Sequence, residues 1–118
     1  MQLLETKKEN YIGQADPFIL ESGGRYYIYT TGDDGIYAYS ADDLLTGWHF
    51  HGMVFTVPGE HNFWAPSVIE LDGTYYMYCS YEFFGDTPDQ GGHREALFVS
   101  QADNPLGPFG QEKQILHP

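Results

Sequence analysis

Asp16 is the residue whose type and place most invite chemistry. It precedes Pro17 at the start of the apolar run Phe18-Ile19-Leu20, and the chain later repeats that opening with Ala65 in the acid's place, ahead of Pro66 and Ser67. A carboxylate that the second copy dispenses with is not required to build the segment. It is free to accept a proton from water as a general base, although Asp-Pro also serves simply to start a turn. The second copy has its own cluster, His61-Asn62-Phe63-Trp64, in which Phe63 and Trp64 are candidates for stacking on a ligand ring. Trp64 reads equally well as a plug between structural units, since a buried indole needs only one partner for its N–H. Ser67 offers a hydroxyl on the same strand, and Glu82, ending the run from Tyr75 to Tyr81, offers a carboxylate at a rim. Glu60, Asp86, Asp89 and Glu95 read as solvated loop charges.

The elements that must position these groups are written twice. PFILESGGRYYIYTT at 17–31 returns as PSVIELDGTYYMYCS at 66–80, a gapless shift of 49 residues that keeps Pro, Glu, Gly and three Tyr in place. IYAYSADDLLTGW at 36–48 returns as ALFVSQADNPLGPF at 96–109, shifted by 60, so the sequence places an eleven-residue insertion between Glu82 and Gly92. Each unit opens with an apolar run, then a Gly-containing turn and a Tyr-rich run, the pattern of a β-hairpin. Tyr26 to Tyr29 and Tyr75 to Tyr78 are apolar on both faces, as in strands covered on both sides. A third strand is expected near Ile36–Ser40 and Ala96–Ser100, and a fourth near Trp48–Val54 and Phe109–Ile115. No segment keeps helical spacing with a cap, although Asp42 to Leu45 suits a single turn. The fold class expected is all-β: two four-stranded antiparallel blades of a β-propeller, blade 1 over about 12–56 and blade 2 over about 62–116. The competing arrangement is a two-hairpin sandwich. Repeat units cover each other's faces and are stable in sets of about three or more. Further blades in cis, or self-association, are therefore expected.

A net charge of −12 with five basic residues excludes nucleic acid and anionic membrane as natural partners. Acidic side chains beside aromatic ones suit a neutral polar ligand such as an oligo- or polysaccharide, rings stacking on C–H faces and carboxylates accepting hydroxyl hydrogen bonds. Cys79 is the sole cysteine and sits in an apolar strand, so neither a disulfide framework nor a thiolate metal site is expected. His49, His51, His61, His93 and His117 show no metal-ligand spacing. The stretch from Met1 to Lys8 is no signal peptide, which predicts a cytoplasmic protein; an export signal trimmed from the N terminus would instead make it secreted.

ADPFILESGGRYYIYTT, FWAPSVIELDGTYYMYCSY and LFVSQADNPLGPF together resemble the opening two blades of glycoside hydrolase family 43, over about Ala15 to Leu116. The resemblance implies a five-bladed propeller that hydrolyses arabinose- and xylose-containing polysaccharides with inversion, as arabinofuranosidases, xylosidases and arabinanases do. It places the general base in the Asp-Pro motif, hence at Asp16. The general acid and the carboxylate that adjusts its pKa come from later blades and have no counterpart here, so the 118 residues alone are expected to be inactive. The resemblance implies no required cofactor, with Ca²⁺ held in the channel of some complete propellers. Some members carry an acid where this chain has Ser67. The alternative is a non-catalytic carbohydrate-binding propeller fragment that uses Phe63, Trp64 and Asp16 for recognition.

Overall fold

The computed structural model describes residues 14–83 and 94–115. Asp86, Asp89, His93 and His117, together with the outermost bounds of both expected blades, lie outside the described residues. Eight strands follow one another: β1 (Phe18–Ser22), β2 (Arg25–Thr30), β3 (Ile36–Ala41), β4 (His49–Phe55), β5 (His61–Leu71), β6 (Thr74–Phe83), β7 (Arg94–Ala102) and β8 (Gly110–Gln114). They form two four-stranded antiparallel meanders, β1-β2-β3-β4 and β5-β6-β7-β8. Each sheet is one blade of the expected kind. The 42–47 segment holds no helical turn; the Asp43 carboxylate accepts the Leu45 N–H at 2.8 Å, a local bond that competes with helix.

The first hairpin of each blade turns through two residues of positive φ, Gly23 and Gly24 (59° and 79°) and Asp72 and Gly73 (53° and 83°). That backbone matches the twist of the flanking strands, which is why a two-residue loop suffices and why Gly or Asp occupies it. The register locks the repeat: Glu21 faces Tyr26 as Glu70 faces Tyr75, and Tyr26 faces Ala41 as Tyr75 faces Ala102. This corrects the shift of the second half-unit from 60 to 61 residues, pairing Asp42 with Asp103 and Leu45 with Leu106. Hydrogen bonding between strands decides equivalence, and a one-residue slip would turn every side chain to the other face.

The core lies between the two sheets. Tyr29, Ile36, Val54 and Phe55 of the first meet Phe63, Met77, Cys79, Tyr81 and Phe98 of the second in one buried cluster. Phe55 meets Phe63 edge-on with centroids 5.7 Å apart, and Tyr81 stacks on Phe98 at 4.1 Å. Polar side chains finish the interface. Ser22 Oγ donates to Glu70 Oε1 at 2.9 Å and lies 2.7 Å from the Tyr75 hydroxyl, while the Tyr29 hydroxyl donates to the Pro105 carbonyl at 2.6 Å. Burial pushes Tyr29 well above the usual phenol range and Cys79 up to about 12, so both stay neutral core groups.

The interface is head-to-tail. Tyr27 and Tyr29 of the first blade point at the second, whereas their equivalents Tyr76 and Tyr78 alternate with buried Tyr75 and Met77 and so lie on the second blade's outer face. Ile69 and Leu71 on that outer face are 51% and 59% exposed. A sheet that repeats a docking face toward solvent presents ground for another sheet.

Candidate functional site at the inner-strand starts

Asp16 is exposed and lies two residues before the start of β1, with φ of 47°. Ala65, its equivalent within β5, has φ of 52°. Left-handed backbone before proline is disfavoured by the proline ring and by the residue's own Cβ, so its occurrence twice at one place marks a conformation held by neighbours. In β5 it falls at the register shift between Trp64 and Ser67.

The approach to β5 is built from both blades. Phe63 exchanges backbone hydrogen bonds with Gly32 at 2.9 and 3.0 Å, and the Asn62 N–H donates to the Asp33 carbonyl at 2.7 Å. β5 therefore starts as a partner of the first blade's 32–33 loop before crossing to β6. Gly32 keeps the first blade's loop itself tight, because a Cβ there would fall 2.2 Å from the Gly35 carbonyl oxygen and 2.3 Å from the Tyr37 ring. Trp64 pairs with Ser80 and is half-buried. Glu82, opposite His61 at the end of β6, accepts a 2.9 Å hydrogen bond from the Asn62 side chain. His61 approaches Asp34 at 3.4 Å on the exposed rim, a contact of little energetic weight. Asp16 thus leads into β1, while Trp64 and the Asn62–Glu82 pair belong to the first half of β5 and the end of β6.

The profile of "Glycosyl hydrolases family 43" matches residues 12–117. The chain belongs to this family. Among curated relatives of the family 43 chain, a probable arabinan endo-1,5-alpha-L-arabinosidase C of Aspergillus clavatus is 39% identical over 71 residues, 55% of this chain and 22% of the relative. Arabinan endo-1,5-alpha-L-arabinosidase A of Aspergillus aculeatus is 35% identical over 78 residues, 59% of this chain and 24% of the relative. Among solved structures, a thermostable family-43 glycoside hydrolase superposes with a TM-score of 0.69 at 26% identity, covering 88% of this chain and 33% of the other. The endo-arabinase from Bacteroides thetaiotaomicron gives 0.65 at 29% identity, covering 80% and 33%. The family 43 chain spans about a fifth of the curated relatives' length and a third of these structures. Its two sheets are blades of a β-propeller.

Two of the four binding residues expected from sequence are placed differently in this family 43 fold. Phe63 has no exposed surface and packs on Phe55 and Tyr81, so its ring is a core wedge between blades and cannot touch a ligand. Ser67 pairs with Tyr78 and alternates with Val68, which enters the core; its hydroxyl therefore lies on the outer face of the second blade, with Ile69. A polar-aromatic run tells little about direction, because the register shifts between His61 and Ser67 break the simple alternation. Trp64 keeps a partly open ring, and Glu82 remains at the rim.

Sequence reasoning overlooked Thr31 and gave Asn62 no role beyond its place in the cluster at 61–64. Thr31 receives no attention as one of two adjacent threonines, but its equivalent is Ser80, a recurring hydroxyl that was the available signal. Glu60 leaves one carboxylate oxygen buried with no partner among the described residues, and with Glu112 it raises the neighbouring Tyr81 phenol after the larger effect of burial. Among the described residues no three acidic, histidine or cysteine side chains converge as a metal cage. The described residues of these two blades therefore gather no carboxylate cage of the kind that holds calcium.

Proposed function

We propose that these residues are the opening blades of an inverting glycoside hydrolase acting on arabinose- or xylose-containing polysaccharides or oligosaccharides, with Asp16 as general base. The observation that carries this reading is the exposed Asp16 carboxylate at a position whose structural twin, Ala65, needs no acid. Inverting hydrolysis requires one carboxylate to take a proton from the attacking water and a carboxylic acid, about 6.5–9.5 Å away, to protonate the leaving oxygen. Groups on separate blades around a shared channel meet such a spacing. Asp16 supplies the first. The acid belongs to further blades, which also cover the second blade's outer face. Trp64 offers a stacking surface, and Glu82, braced by Asn62, accepts sugar hydroxyls at the rim. The relatives named as arabinan endo-1,5-alpha-L-arabinosidases favour an arabinan.

Replacing Asp16 with Asn in the enzyme carrying all of its blades is expected to lower turnover by about 10²–10⁴-fold, the usual weight of a general base, with unchanged thermal stability because the side chain is exposed. Reducing-sugar release from linear arabinan measures it. Retained activity removes the assignment. A second reading, non-catalytic saccharide binding by these two blades, is favoured by their holding one such carboxylate; calorimetric binding of arabino- or xylo-oligosaccharides without reducing-sugar release would support it.

A further inference from the structure

We infer that Thr31 is a positioning residue that ties the Asp16 turn of the first blade to the Trp64-Ala65 turn of the second. The inference rests on the reading of Asp16 as the base. Two different groups of one residue act on two different blades. The Thr31 N–H donates to the Ala15 carbonyl at 3.0 Å, directly before Asp16, and Thr31 Oγ1 accepts the Ala65 N–H at 3.2 Å. The two residues so flanked or held, Asp16 and Ala65, are the two non-glycine residues that precede proline in a left-handed conformation among the described residues. Neither conformation is intrinsically favoured, and what fixes it must come from outside the turn.

Threonine suits the task because β-branching narrows its side-chain rotation and aims Oγ1 in one direction. Serine at the equivalent Ser80 sits across from Trp64, the equivalent of Ala15, so the hydroxyl recurs where the next blade's turn would arrive. The consequence is geometric. A base must lie within hydrogen-bond reach of its water, and a misplacement of about 1 Å can cost about a hundredfold in rate. With the tether, the direction of the carboxylate at Asp16 and the placing of the ring at Trp64 are set by one residue rather than by two independent loops.

The test compares Thr31→Val, which keeps the shape and removes the hydroxyl, with Thr31→Ser, which keeps the hydroxyl. Thr31→Ala replaces the valine variant if that one does not fold. In this chain, amide hydrogen exchange at Ala65 is expected to quicken about tenfold in Thr31→Val and to stay within about twofold in Thr31→Ser, the weight of one neutral hydrogen bond. In the enzyme with all blades, Thr31→Val should lower kcat on linear arabinan about ten- to a hundredfold while KM stays within about threefold, and Thr31→Ser should restore most of it. Unchanged Ala65 exchange overturns the tether. A parallel loss in both variants, or a loss confined to melting temperature, overturns the positioning role. Asp16→Asn run alongside separates the two claims: if it leaves turnover intact, the base assignment falls while Ala65 exchange still decides the tether.

Discussion

Asp16 and Ala65 occupy the same place in their two blades, with φ of 47° and 52° and a proline next in each case, yet one carries a carboxylate and the other a methyl group. The shared backbone is what the repeat needs to begin an innermost strand; the difference is what chemistry adds to it. A second contrast runs alongside. Tyr29 and Tyr78 are equivalent, but Tyr29 is fully buried and bonded to Pro105 across the blade interface while Tyr78 lies on a face that no described element covers. Equivalent residues thus part company in side-chain chemistry at the strand starts and in burial at the faces.

The largest effect is expected from exchanging the two strand starts. Asp16→Ala makes the first blade like the second and should remove turnover to the extent of Asp16→Asn, whereas Ala65→Asp should not restore it, because an acid at Ala65 addresses the channel from a different angle. Hydrolysis of linear arabinan by the single and double variants measures this, and activity in the double variant would show the places to be interchangeable. Next in size is a pair of neighbours on β5. Phe63→Ala should destabilise the chain by about 3–5 kcal/mol in denaturant unfolding, the range for a deleted buried aromatic ring. Trp64→Ala should instead weaken oligosaccharide binding by about tenfold, the scale of one aromatic face lost. Reversal of those two outcomes would exchange their assigned roles.

A smaller effect separates the blade faces. Tyr29→Phe loses a part-buried hydrogen bond to the Pro105 carbonyl and should cost about 1–2 kcal/mol, while Tyr78→Phe should fall within about 0.5 kcal/mol. The same urea midpoint measurement reads both. The smallest expected effect is at His51, whose Nε2 lies 2.6 Å from Ser40 Oγ. Burial foremost, then His49 and Arg25, hold its pKa below the ordinary value. The unfolded chain therefore binds more protons here than the folded one. The contribution is complete above about pH 6.5 and is lost as the pH falls through the folded value. His51→Gln should flatten the melting temperature between pH 7 and 5 slightly; a steeper dependence would contradict the sign.

Much of this was legible before any coordinate. The doubled Gly turns, Tyr-rich runs and Asp-Pro/Ala-Pro pair disclosed the eight strands, the two sheets and the odd acid, because turn chemistry and strand alternation are local. The place of Phe63 was not legible: the bulged start of β5 leaves no period to read, and its ring found space between Phe55 and Tyr81 of two different sheets. The insertion length was misjudged by one residue since letters can be aligned at 60 or 61, and hydrogen bonds at one alone.

The amino-acid order, taken alone, determined a repeated four-stranded unit, its turns and the one place where the repeat gains a carboxylate, since all three depend on neighbours a few residues apart. Which face of each blade is covered, which aromatic side chains are core, and which hydroxyl joins the two strand starts were decided by tertiary structure. Those outcomes depend on contacts between residues such as Thr31 and Ala65 or Ser22 and Tyr75, whose meeting is set by how two twisted sheets pack and not by any spacing within either.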